Sequence, residues 1–335
     1  MTIRIGIIGV GVMGADHAHT LDRYVNGAEV TAIADVNAAS ANTVAAQLRS
    51  ARVVDDAQAL IAADDVDAVI IASHDSTHAA LTLAVIDAGK PVLCEKPLAP
   101  TVAESRSVCA AEKRSGRSLI SVGFMRRFDP SYVDLRRSVT SGELGEVLVA
   151  HCVSRTVEAH PDGDSASTVT NSAIHELDVM PWLIGSPIAE VSWHAGRSSR
   201  HAGRRIDPQI LVMRTESDVL ITVEVFLNAQ YGYDTRCEVV GEEGVAALTL
   251  PSTVVTDRGR ARSLAYPADW RPRYADAYRE QLCEWVRALE TGRAPRLATA
   301  EDGLRAAIVA EAVIESMTHD GQVVPVAYAR ETVGA

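Results

Sequence analysis

Ile3-Arg4-Ile5-Gly6-Ile7-Ile8-Gly9-Val10-Gly11-Val12-Met13-Gly14 passes from an apolar strand pattern through a glycine-rich turn into the Ala-containing amphipathic stretch Val12–Tyr24. In such a turn the first glycine, Gly9, permits the tight bend. Gly11 lets backbone reach a pyrophosphate, and Gly14 lets the helix pack on the strand. Phosphates then meet free N–H groups at the helix N-terminus, contributed around Val12 and Met13. Asp35 lies 21 residues past Gly14, at the end of the next apolar run, Glu29–Asp35. A carboxylate there accepts from both ribose hydroxyls and repels a 2′-phosphate. The pattern therefore predicts binding of NAD rather than NADP.

The same rhythm continues outward from this turn. Apolar runs at Asp67–Ser73, Pro91–Cys94 and Ser118–Phe124 alternate with amphipathic stretches at Ala38–Arg49, Thr77–Gly89 and Thr101–Gly116. Runs without polar alternation imply strands buried on both faces, as in a parallel sheet covered by helices. Residues 1–123 thus read as an α/β, doubly wound Rossmann domain. Beyond Phe124 the rhythm changes. A helix is predicted over Pro130–Ser141, a strand over Glu146–Val157, a polar lid-like loop over Glu158–Thr168 and a helix over Asn171–Ile184. From Ile188 to about Leu250 strand follows strand between Asp-Pro, Tyr-Gly and Gly-Glu-Glu-Gly turns, and helices over Tyr274–Thr291 and Thr299–His319 close the chain. Residues 124–335 read as an α+β domain with a large, mostly antiparallel sheet.

Composition narrows the function classes. The 335 residues are 47% apolar and 23% charged, enough to fill a sizeable core. Their 32 basic and 44 acidic side chains give a net charge of −12, which disfavours nucleic acid and anionic lipid as partners. Five scattered cysteines with no Cys-x-x-Cys pair argue against a disulfide framework or a Cys-based zinc site. The opening residues carry no signal-peptide pattern, and no window of about 20 apolar residues spans a membrane. These features imply a reduced, cytoplasmic setting, no membrane partner and no metal.

Two further features bear on chemistry. Glu95-Lys96-Pro97 ends a buried apolar run, where open α/β sheets bind their ligands, and Pro97 holds Lys96 extended toward that crevice. On the helix predicted over Asn171–Ile184, Asn171, His175 and Asp178 fall at i, i+4 and i+7 and share one face, although Pro181 interrupts its hydrogen bonding.

The fingerprint, Glu95-Lys96-Pro97 and the His175-Glu176-Leu177-Asp178 helix together resemble the glucose–fructose oxidoreductase / inositol dehydrogenase / MocA family. The segments Val122–Asp129, Asp207–Ile210, Tyr231–Asp234 and Cys237–Glu242 look closer still to its bacterial inositol 2-dehydrogenase branch. The resemblance implies an NAD-dependent oxidoreductase that removes hydride from a ring carbon of a polyol or sugar. It implies that His175 takes the hydroxyl proton while Lys96 polarises the same oxygen, with Arg126, Asp178 and Tyr233 on the substrate side. Ser73, His78, Glu95 and Lys96 join the fingerprint residues as cofactor contacts. It also implies a homo-oligomer, dimer or tetramer, formed through the second domain's sheet.

One position departs from that family's pattern. An Asp is expected four residues before His175, and Asn171 stands there. An amide still hydrogen-bonds an imidazole but brings no charge to support its protonated form. The substitution leaves open a slow inositol dehydrogenase, a shifted substrate, or a neutral pair suited to another task. Two other functions compete: transient redox chemistry in a glycosidase or epimerase with retained NAD, and a non-catalytic NAD sensor. Ser154 also replaces a His expected on the substrate side.

Overall fold

A computed structural model describes residues 2–249 and 254–328. The expected end of the strand-rich block, Leu250, lies just outside the described residues. The chain divides into two compact units, Met1–Phe128 with Asp276–Ala307, and Asp129–Ala275 with Ile308–Ala335.

The first unit is built on six parallel strands: β1 (Ile3–Ile8), β2 (Ala28–Ala34), β3 (Arg52–Val53), β4 (Ala68–Ile71), β5 (Val92–Cys94) and β6 (Ile120–Val122). Their order, β3-β2-β1-β4-β5-β6, is that of the dinucleotide-binding sheet. Helices α1 (Val12–Tyr24), α2 (Ala38–Ala45), α3 (Ala57–Ala62), α4 (His78–Asp87) and α5 (Val102–Ser115) connect them. Every residue of β4, β5 and β6 is buried, as the apolar character of all but Ser121 requires. Sequence reading misses β3 and α3. The strand has two residues, neither fully buried, and the helix only six, too short for either periodicity to register. It also carries α2 too far, since the chain past Ala45 tightens into turn hydrogen bonds.

The second unit holds a seven-stranded sheet and its flanking helices. After α6 (Pro130–Thr140) come β7 (Val147–Arg155), α7 (Ser165–Thr168), α8 (Ile174–Ile184), β8 (Ile188–His194), β9 (Gln209–Thr215), β10 (Leu220–Phe226), β11 (Asp234–Gly241) and β12 (Val245–Ala247). An exposed ribbon, β13 (Val255–Arg258) with β14 (Ala261–Leu264), precedes the two long helices α9 (Trp270–Thr291) and α10 (Ala300–Thr318), and β15 (Val324–Pro325) ends the described chain. The sheet order is β12-β11-β7-β10-β9-β8-β15, with only β7 and β10 parallel. In β10 the alternation resolves cleanly: Ile221, Val223 and Val225 are buried, while Leu220, Thr222, Glu224 and Phe226 are only partly covered. Met180 of α8 touches Cys152 of β7 and Cys237 of β11, so α8 lies on the buried face of this sheet.

Residues 276–307 belong with the first unit because α9 delivers Leu282, Trp285 and Val286 into the core formed by Ile5, Ile7, Leu21, Ile33 and Leu93. Chain order alone carries no sign of this return.

Candidate functional site

The glycines of the fingerprint are fixed by contact. Gly9 has φ +85°, and a Cβ there would lie 2.5 Å from the backbone of Ser73. At Gly14 a Cβ would collide with the Gly9 carbonyl oxygen. Around Gly11 there is open space, and Gly11 is the N-cap of α1 without any side-chain cap. No acidic residue occupies the first turn of α1. An uncapped helix N-terminus beside a Cβ-free gap suits a pyrophosphate, so these residues fit NAD. Asp35 accepts from the backbone N–H of Val10 at 2.7 Å through one oxygen and from Asn37 at 2.7 Å through the other. Each oxygen keeps a second lone pair for a ribose hydroxyl. The aspartate thus holds the glycine turn.

Ser73 follows β4, and its hydroxyl pairs with Thr77 at 2.7 Å. His78 is buried, with Nδ1 2.7 Å from the Pro97 carbonyl oxygen and Nε2 3.1 Å from that of Ser73. Carbonyls only accept, so both ring nitrogens must carry protons. Burial pulls the imidazole toward neutrality, but the neighbouring Cys94 sulfur and the two carbonyls outweigh it and raise the pKa to about 9. His78 therefore ties the Ser73 loop to the Glu95-Lys96-Pro97 loop as a buried cation.

Lys96 is half-buried. Burial lowers its ammonium pKa below the usual lysine value; Glu95 and Asp75 oppose that shift, and Arg126 adds to it. Arg126 is 1% exposed, within the tight turn Met125–Phe128 that follows β6. Glu95 is buried and accepts from His17 of α1, Nε2 to Oε1 at 2.7 Å. A Cβ on Gly123 would strike the Glu95 carboxylate at 2.7–2.8 Å.

In the second unit, α8 begins later than its sequence suggests. Residues Val169–Ala173 form a π-helical turn, preceded by α7 with a capping box between Asp164 and Ser167. The expected loop Glu158–Thr168 therefore ends in helix. Asn171 lies in a wider π turn rather than in α-helix, four residues before His175. Asn171 is exposed, His175 half-buried and Asp178 buried, so the polar residues descend from solvent into the unit. Pro181 is accommodated inside α8, which closes at Gly185 in the left-handed region. Tyr233 is buried, edge-on to Tyr274 with centroids 6.2 Å apart. Ser154 is buried on β7.

The structure brings Gly9, Gly11, Gly14, Asp35, Ser73, His78, Glu95, Lys96 and Arg126 into the first unit, and Asn171, His175, Asp178 and Tyr233 into the second. Sequence reading passes over His17. A His three residues beyond the last fingerprint glycine looks like any helical surface residue until α1 is packed, and only its direct position after the motif hints otherwise.

These features define a dinucleotide-binding oxidoreductase fold followed by a separate α/β unit. Residues 3–124 match the oxidoreductase family's NAD-binding Rossmann fold, and residues 136–326 match its C-terminal alpha/beta domain. The chain belongs to the glucose–fructose oxidoreductase, inositol dehydrogenase and MocA family. It is 52% identical over 333 residues to inositol 2-dehydrogenase 2 of Paenarthrobacter aurescens, covering 98% of this chain and 100% of that protein. Against inositol 2-dehydrogenase 1 of Saccharopolyspora erythraea, identity is 47% over 97% of both chains. The crystal structure of myo-inositol dehydrogenase from Lactobacillus casei, in complex with NAD(H) and myo-inositol, superposes with a TM-score of 0.94 at 29% identity over 99% of each chain. No helix among the described residues is long and apolar enough to cross a membrane.

Proposed function

We propose that this chain is an NAD-dependent dehydrogenase that oxidises a ring hydroxyl of a cyclic polyol, myo-inositol or a related inositol, to the ketone. The observation that carries the reading is whole-length likeness to inositol 2-dehydrogenases in a chain that keeps both Lys96 and His175. An alcohol that loses hydride from carbon must also lose a proton from oxygen. His175 accepts that proton, and a neutral imidazole is suited to do so near pH 7. Lys96 donates from its ammonium to the same oxygen and polarises it. The fingerprint glycines, Val12, Met13, Asp35, Ser73, His78 and Glu95 shape the cofactor site. NAD, when bound, supplies the hydride acceptor. Arg126, Asp178 and Tyr233 serve the remaining hydroxyls. Asn171 orients His175 without a charge, which leaves the imidazolium less supported than an aspartate would.

Assembly through the second unit's sheet belongs to the same reading. The partly covered face carries Val149, Val153, Ile210, Val212, Leu220 and Phe226, apolar positions suited to a second copy of the chain in a dimer or tetramer of a cytoplasmic enzyme. Light scattering on purified protein tests it, and a monomer at all concentrations overturns it.

The catalytic reading is tested by NADH formation from NAD and a panel of inositols, aldoses and aldonates. The expected result is NADH from an inositol, reduced at least about 100-fold in Lys96→Ala and His175→Ala. Asn171→Asp is expected to raise the myo-inositol rate. Loss of activity in that variant would instead tie Asn171 to a different polyol. NADH from no polyol, with NAD bound, overturns the proposal.

A further inference from the structure

His17 and Gly123 close on the buried Glu95 carboxylate in an arrangement to which the mechanism above gives no part in the proton chemistry. His17 is 0% exposed and Glu95 5%, their hydrogen bond is 2.7 Å, and the ring of His17 meets the edge of Tyr278 from α9 at 5.7 Å between centroids. His17 Nδ1 is buried and finds no hydrogen-bond partner among the described residues. A carboxylate only accepts, so His17 Nε2 carries a proton and donates it to Glu95. The other oxygen of Glu95 lies 3.3 Å from the backbone N–H of Lys96, which donates to it. Any side chain at Gly123 would displace this carboxylate, since a Cβ there has no room. Three segments distant in sequence thus converge on one carboxylate beside the site lysine.

We propose that His17 is a positioning residue that acts through Glu95, holding this carboxylate in place as the counter-charge of Lys96. The inference rests on the assignment of Lys96 to the reacting oxygen and adds how the helix that carries the dinucleotide fingerprint controls that lysine. A buried carboxylate that loses the shorter of its two donated hydrogen bonds is less able to stay charged or in place. Lys96 then loses the attraction of Glu95, while burial and Arg126 continue to disfavour its charged form. An ammonium so placed gives up its proton at lower pH, and polarisation of the alcohol oxygen fails there.

The first test needs no substrate. Acetylation of Lys96 by acetic anhydride, followed by peptide mass spectrometry across pH, reports the protonation of that one amine. In His17→Leu the midpoint is expected to fall by about one pH unit, the smaller end of the effect of one opposite charge at close range. His17→Gln restores an N–H donor and should return the midpoint toward that of the parent. Glu95→Gln should lower it as far as His17→Leu, and the double variant should go no further. If NADH is formed, the alkaline limb of kcat/KM should move down by the same amount in His17→Leu. An unchanged Lys96 midpoint in both His17→Leu and Glu95→Gln overturns the proposal. A protein that oxidises no polyol, yet shows these shifts, loses the dehydrogenase reading and keeps the His17–Glu95 control of Lys96.

Discussion

At Gly14 the motif and the packing make the same demand, because the Gly9 carbonyl oxygen occupies the place a Cβ would take. Gly14→Ala must push α1 off β1, and overpacking of this kind costs about 1–3 kcal/mol. Urea denaturation should show that loss together with weaker NAD binding by calorimetry. Asp35 binds the backbone of Val10 and Asn37, and the proposed function adds the ribose as a second task. Asp35→Ser should weaken both cofactors. It should also raise the NADP-to-NAD ratio of kcat/KM about ten-fold, corresponding to about 1.4 kcal/mol of removed repulsion. A ratio that stays fixed would mean that the carboxylate serves the turn alone.

At the scale of elements, His78 opens α4 and holds two loops through its two ring nitrogens. Its folded pKa of about 9 exceeds the ordinary histidine value of about 6.5. Its contribution to stability is therefore full below pH 6.5 and is lost as pH rises through 9. The difference of about 2.5 units corresponds to roughly 3 kcal/mol at most. The parent's denaturation midpoint should fall across this window more steeply than that of His78→Gln. Parallel curves would remove His78 as the titrating group. The π turn Val169–Ala173 is an element-scale feature of another kind. It widens the helix where Asn171 sits, and such turns recur at functional sites. Nothing in the pattern of apolar residues distinguishes it from one continuous helix.

For the whole molecule, the return of residues 276–307 to the nucleotide unit has an energetic consequence. Trp285 is fully buried there among Ile5, Ile7, Leu21 and Leu93, although about 280 residues separate it from β1. Trp285→Ala should cost about 3–5 kcal/mol. The loss should appear in NAD binding as well as in thermal melting, because the cavity opens beneath the sheet that carries the fingerprint. Unaltered NAD affinity at a depressed melting temperature would show that the fingerprint does not depend on that support.

What could be read from the chain was local chemistry. The glycine spacing, Asp35, the buried apolar runs and Glu95-Lys96-Pro97 each express a requirement met within a few residues, and they suffice for the Rossmann unit and its cofactor. The departure at Asn171 is equally plain in the sequence, being a change of one side chain's charge. The short β3 and α3, the π turn, the second role of His78 and the His17–Glu95 bond came only with the tertiary structure. Each depends on which distant backbone or side chain arrives beside it. His17 and Glu95 are 78 residues apart, and Tyr278 is farther still. A buried hydrogen bond between them has no periodicity to announce it, because burial is a property of the packed chain and not of either segment alone.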